Sequence, residues 1–138
     1  MKPIRELVPH RGAMCLLEEV LDWDEHAIIC RASSHRDPSN PLRTAEGLAA
    51  VTGVEYAAQA VAVHGSLNDK NSTKPGIGYL AALRDVVCAV ERLDTEPGDL
   101  TVRATKVTAE SGRLLYDFRI ESGGRELLKG RLSVVLSQ

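Results

Sequence analysis

Ala45-Glu-Gly-Leu-Ala-Ala-Val-Thr-Gly-Val-Glu-Tyr-Ala-Ala-Gln-Ala-Val-Ala-Val-His64 is the stretch on which the fold turns. Wound as one helix, it is apolar nearly all the way round, the mark of a helix enclosed by protein rather than laid on a surface. At about 1.5 Å per residue it would span roughly 30 Å, the width of a small domain. Seven of its side chains are alanine, so another element could approach its backbone closely. Thr44 is placed to cap its start, and Gly65 to end it in the left-handed conformation.

Thr52, Glu55 and Gln59 stand out against that apolar background, with Tyr56 beside them. Steps of three and four residues stack them on one stripe of the helix. An enclosed carboxylate costs several kcal/mol unless it is paired, hydrogen-bonded or protonated. Glu55 is therefore the most informative residue in the chain. Two readings stay open: a structural glutamate held by a core arginine or by backbone amides, and a working carboxyl of the kind that gathers in active sites.

The chain has 138 residues, enough for one domain (1–138) with a proper core. Its composition, 43% hydrophobic and 26% charged, is that of an ordinary soluble protein. A net charge of −2 leaves no electrostatic footprint for nucleic acid. The opening Met1-Lys-Pro-Ile-Arg-Glu-Leu7 puts charge where a signal peptide would be apolar, so a cytoplasmic protein is expected. Glu46, Glu55, Gln59 and His64 argue against a membrane-spanning helix. Cys15, Cys30 and Cys88 form no Cys-x-x-Cys pair and sit among apolar neighbours, which suggests reduced core cysteines. His10, His26, His35 and His64 lack the i,i+4 spacing of ligand pairs, so no metal site is expected.

Met14–Trp23 and His26–Ser34 read as a β-hairpin broken at Asp24-Glu25. His35–Arg43 has two prolines and reads as loop, and Ser66–Gly76 as a polar loop after the helix. From Gly78 the pattern turns to strands. Tyr79–Leu93 is a long apolar run interrupted by Arg84-Asp85. Leu100–Thr108 and Leu114–Glu121 alternate with period two, and Ser122-Gly-Gly-Arg125 turns into a last strand, Leu127–Leu136. The order predicts an α+β hotdog fold, an antiparallel sheet wrapped around one long central helix. The back of that sheet and the far end of the helix would favour pairing with a second copy.

Two stretches resemble the hotdog 3-hydroxyacyl-[acyl carrier protein] dehydratases. Leu7-Val-Pro-His-Arg-Gly-Ala-Met-Cys-Leu-Leu-Glu-Glu-Val20 is similar to that family's opening Leu-Pro-His-Arg segment. Gly53-Val-Glu-Tyr-Ala-Ala-Gln-Ala-Val61 is similar to its Glu-x-x-x-Gln helix signature. With the His-Gly that follows at residues 64–65, the chain looks most like the dehydratase-like hotdog proteins of aryl polyene gene clusters. The resemblance implies dehydration of 3-hydroxyacyl thioesters to trans-2-enoyl thioesters in fatty acid or polyene synthesis. It implies no cofactor beyond the phosphopantetheine of an acyl carrier protein that bears the substrate. The implied assembly is a homodimer or larger homo-oligomer, with a heteromer of two hotdog subunits as the alternative.

Such an elimination needs a base for the α-proton, an acid for the departing hydroxyl and donors for the enolate-like oxygen. The resemblance makes Glu55 the acid, its pKa raised by burial, with Gln59 holding its geometry or the leaving water. Amides near the helix start, aided by the helix dipole, are the candidate donors, and Thr52 supports them. The family's histidine belongs to the loop before the helix, where this chain reads Pro38-Ser-Asn-Pro-Leu-Arg43. Asn40 or Pro41 falls at its place, and an asparagine amide cannot act as general base. His10 is the first candidate substitute, and a solvent-facing His35 the second. His64, at the helix end, would cap the last carbonyls. A related subunit supplying the base is the third possibility. Val51, Val54, Val61 and the strand from Tyr79 would line an acyl tunnel, with Arg36, Arg43 and Arg84 near its mouth. Two competing functions remain: a thioesterase in which Glu55 activates water, and a non-catalytic partner subunit of a heteromeric dehydratase.

Overall fold

The computed structural model describes residues 15–68, 77–110 and 112–137. Strands β1 (Glu19–Trp23) and β2 (Ala27–Ala32) come first, then helix α1 (Gly53–Asn68). Strands β3 (Ile77–Cys88), β4 (Leu100–Glu110), β5 (Arg113–Ser122) and β6 (Arg125–Ser137) complete the chain. All six strands pair antiparallel in one sheet of order β1-β2-β4-β5-β6-β3.

The period-two pattern decides which face meets the helix. Leu100, Val102 and Ala104 of β4 and Leu114, Tyr116, Phe118 and Ile120 of β5 are all buried. Alternate residues such as Arg103 and Arg119, paired directly across those strands, point the other way and are exposed. The hairpin turns follow their local chemistry. One Asp24 Oδ1 accepts from the amides of His26 at 2.8 Å and Ala27 at 2.9 Å. Gly123 and Gly124, with φ of 59° and 78°, make the two-residue turn whose twist matches its strands. One face of the sheet thus wraps a single central helix, which is the hotdog fold.

The helix is shorter at its start, and longer at its end, than the Ala45–His64 pattern suggests. Residues 44–49 spend their backbone groups on tertiary partners instead. Gly47 takes φ 103°, Thr44 bridges Gly47, and Ala49 bridges Arg92. Asp94 pairs with Arg92 and Arg43 and accepts from Leu48 N at 2.9 Å; the Arg92 hydrogen bond, with the Leu48 amide behind it, holds its carboxyl well below the usual range. The Thr44 hydroxyl accepts from Glu46 N within that turn and caps no helix. A 3-10 turn over Ala50–Thr52 then leads into α1. Gly65 is not left-handed, and the helix runs through it to Asn68.

Close approach to the sheet comes from Gly53 as well as from Ala57 and Ala60, both fully buried. A Cβ at Gly53 would lie 2.9 Å from Ile120 Cδ1 and from both Leu128 methyls. The better helix propensity of alanine is outweighed there by overpacking, typically about 1–3 kcal/mol. Gly53→Ala is therefore expected to destabilise the chain by about 1–2 kcal/mol in a urea titration. A stabilised variant would mean that the helix can lift without cost.

Candidate functional site

The sheet covers one side of α1 and leaves one stripe bare. Gly53, Val54, Tyr56, Ala57, Gln59 and Ala60 are buried, whereas Val51 is 57% exposed and Glu55, one turn on, is exposed too. Glu55 therefore does not have the enclosed environment expected of it, because one sheet cannot surround a helix and no second layer lies on that side among the described residues. Among those residues no ion pair holds it either, which speaks against the structural-glutamate reading. Val54, expected along the tunnel, instead packs into the core at 4% exposure.

A second bare surface was missed in the sequence. Strand β3 pairs with β6 along one edge and, among the described residues, has no neighbour on the other. Its Leu80, Leu83 and Val87 are 36%, 43% and 55% exposed. The available signal was the run Tyr79–Cys88 itself: it does not alternate, as a strand with a single buried face does. Asp85, with φ 54°, marks a bulge between Arg84 and Val87 that interrupts the ladder. Tyr79 lies on β3 opposite Val135, but its side chain falls outside the described residues.

The Gln59 Oε1 accepts from Leu16 N at 2.9 Å, tying the entry of the first hairpin to the middle of the helix. His10, six residues before that anchor, lies outside the described residues. The Thr52 hydroxyl donates to Ala49 O at 2.7 Å and so closes the turn before the helix.

Asn40 is buried and faces inward. Its amide donates to Ser34 O at 2.9 Å and to Tyr56 Oη at 3.1 Å, while its oxygen accepts from Leu42 N at 2.8 Å. The Ser34 hydroxyl and Tyr56 Oη are 2.7 Å apart in the same network. Burial pushes the Tyr56 phenol up. Asn40 thus fastens the loop to the buried side of α1.

Neither His35 nor His64 takes its expected place. His35 is fully buried rather than solvent-facing, and Nε2–H reaches the carbonyls of Glu96 at 3.1 Å and Gly98 at 3.0 Å. His64 is also fully buried and caps nothing. Its Nε2–H donates to Asp24 O at 2.6 Å, and Nδ1 accepts from the Tyr116 hydroxyl. Desolvation lowers the pKa of both rings. His64 staples the helix to β5 and to the first hairpin turn, and His35 staples two loops together. Of the cysteines, Cys30 is buried, with its thiol pushed up to about 12, whereas Cys88 is exposed on β3 and is no core residue. Arg36 pairs with Asp99 at 2.7 Å and Arg43 with Asp94 at 3.5 Å.

The back of the sheet carries ion pairs such as Arg103–Glu121 and Arg131–Asp117. Among the described residues no group of three His, Cys, Asp or Glu side chains could hold a metal ion. No described helix is long and apolar enough to cross a membrane. Chemically, the described residues offer a solvent-facing carboxyl on the helix and, separately, an apolar sheet edge without a paired strand.

The chain is similar, over all of its length and 93% of the other's, to a solved chain of the dehydratase heterocomplex ApeI:P from Xenorhabdus doucetiae (24% identity, TM-score 0.89). It is also similar to AziG of S. sahachiroi, at 14% identity over 96% of this chain and 98% of the other, with a TM-score of 0.66. A mutant thioesterase, PA1618 of Pseudomonas aeruginosa, matches at 16% identity over 86% and 81% of the two chains, with a TM-score of 0.59. At such identities these likenesses speak for the hotdog fold. No curated protein matches the chain. The family model described as ApeP-like, ApeP dehydratase, matches residues 2–138. That match spans nearly every residue, and the chain belongs to the ApeP-like dehydratase family.

Proposed function

We propose that this chain is one subunit of a heteromeric dehydratase that converts 3-hydroxyacyl thioesters on acyl carrier protein to trans-2-enoyl thioesters, in fatty acid or polyene synthesis. The observation that carries the reading is the bare state of Glu55, Val51 and the β3 edge in one and the same chain. A second hotdog subunit laid on that edge would pair its open backbone groups and cover its leucines. It would also strip water from the Glu55 carboxyl, the condition under which a glutamic acid stays protonated at neutral pH. The ApeI:P heterocomplex supports a partner of a different sequence.

In the composite site a base of the second subunit removes the α-proton. The Glu55 carboxyl hands its proton to the 3-hydroxyl as the C–O bond breaks and water leaves. First-turn amides of α1 stabilise the enolate-like oxygen. Val51 contacts the acyl chain, His10 is the alternative base, Asn40 and Thr52 keep the helix start rigid, and Gln59 fixes the middle of the helix. The phosphopantetheine arm brings the substrate, and no resident cofactor takes part.

The test is to assay the chain alone, and again with a second hotdog subunit, on 3-hydroxyacyl and trans-2-enoyl carrier thioesters. Interconversion is expected in the mixture and not with the single chain. Equal rates in both would remove the shared site. Release of free thiol would make the protein a hydrolase, and silence in both would leave it a binding partner.

A further inference from the structure

On the face of the sheet away from α1, β3, β5 and β6 enclose a cleft of about 270 Å³. Arg84, Arg113 and Arg131 line it, together with Thr108, Leu115 and Ser133. The register explains the convergence. Ser133 stands between Ala82 and Leu115, and Arg131, two residues earlier on the same face, stands between Arg84 and Asp117. Arg113 shares that face from two residues before Leu115.

Two features of the cleft are costly as they stand. Arg84 and Arg131 are directly opposed like charges, which destabilise a sheet. Asp117 takes up Arg131 at 2.8 Å, and Asp85 also acts on it. Among the described residues, no ion pair involves Arg84 or Arg113. In addition, Ser133 is 4% exposed and its buried Oγ has no hydrogen-bond partner. A buried hydroxyl without a partner is unfavourable unless something supplies one.

We propose that this cleft is a binding site for a phosphate-type oxyanion. Its oxygens would answer both features together: the guanidinium forks of Arg84 and Arg113 match phosphate geometry, and the Ser133 hydroxyl donates to a third oxygen. Thr108 offers a further hydroxyl, and Leu115 sets the floor. The site lies on the opposite face of the sheet from Glu55, so it stands whether or not the chain catalyses dehydration.

Calorimetric titration of the full chain with sodium phosphate, at ionic strength matched by chloride, tests the site. Saturable binding is expected, weakened about tenfold or more in Arg84→Gln/Arg113→Gln, whose side chains lie at the surface. Ser133→Ala should act in two opposite directions. It removes an unsatisfied buried hydroxyl and so raises the ligand-free melting temperature, yet it lowers phosphate affinity. Coenzyme A binding more tightly than dephosphocoenzyme A would support a phosphomonoester carried by a small molecule. Equal binding of those two, with inorganic phosphate still held, would support the free anion. No saturable binding, or unchanged affinity in the arginine double variant, overturns the proposal. So does an unchanged phosphate affinity in Ser133→Ala.

Discussion

Glu55→Gln, assembled with a second hotdog subunit, is expected to lose dehydration by a factor of roughly 10²–10⁴, the usual contribution of a positioned general acid. The same substitution in the single chain should shift unfolding free energy by no more than about 0.5 kcal/mol, as exposed substitutions do. The two readouts separate the possible roles. A carboxylate that held the core together would move stability first, and the exposed position of Glu55 leaves it nothing of that kind to hold. Glutamine keeps the size and one oxygen but cannot give up a proton. Turnover retained in Glu55→Gln, with assembly intact, would take the acid away from α1 altogether. Loss of turnover with loss of assembly would make Glu55 an interface residue, so complex formation has to be followed by size-exclusion chromatography in the same samples.

The architecture was legible because its signals are local. Alternation in 100–104 and 114–120 sorts the faces of β4 and β5, and the two glycines at 123–124 set their neighbour's turn. What the chain hid was everything decided by distant partners. Residues 45–49 have helical composition, yet Asp94 and Arg92, some forty residues on, capture their backbone groups. His35 sits after a strand, where exposure is the ordinary expectation, and the carbonyls of Glu96 and Gly98 draw it inside.

Glu55 shows the limit most plainly. Its helix is apolar nearly all the way round, yet the described residues cover only the face turned to the sheet. The pattern predicted an enclosed carboxyl, and the structure leaves it exposed. Asn40 is the converse case. Its place in the loop could be read, and its inability to titrate followed from its chemistry, but its inward turn onto Tyr56 depends on packing across the whole sheet.

His64 carries the largest expected effect on stability. Its ring joins α1 to the turn between β1 and β2 through Asp24 O, and to β5 through the Tyr116 hydroxyl, with Trp23 edge-on at a centroid distance of 6.4 Å. His64→Ala removes both hydrogen bonds, strands the Tyr116 hydroxyl and opens a cavity, an expected loss of about 3–4 kcal/mol. The pH dependence has a definite sign. Burial and the charges of Lys106 and His26 lower the folded pKa from its ordinary 6.5, while Asp24 opposes them. Above that ordinary value both states are neutral, and the ring's contribution is fully present. Below it the unfolded chain takes up a proton that the folded chain refuses, so stability falls by about 1.4 kcal/mol per pH unit until the folded ring also titrates. His35 is lowered by the same cause and adds in the same direction. His64→Gln can keep one donor and one acceptor without titrating. Urea titrations between about pH 7 and pH 5 should therefore show a shallower fall for that variant than for the parent chain. Parallel curves would place the acid sensitivity at another group and leave His64 a purely geometric staple.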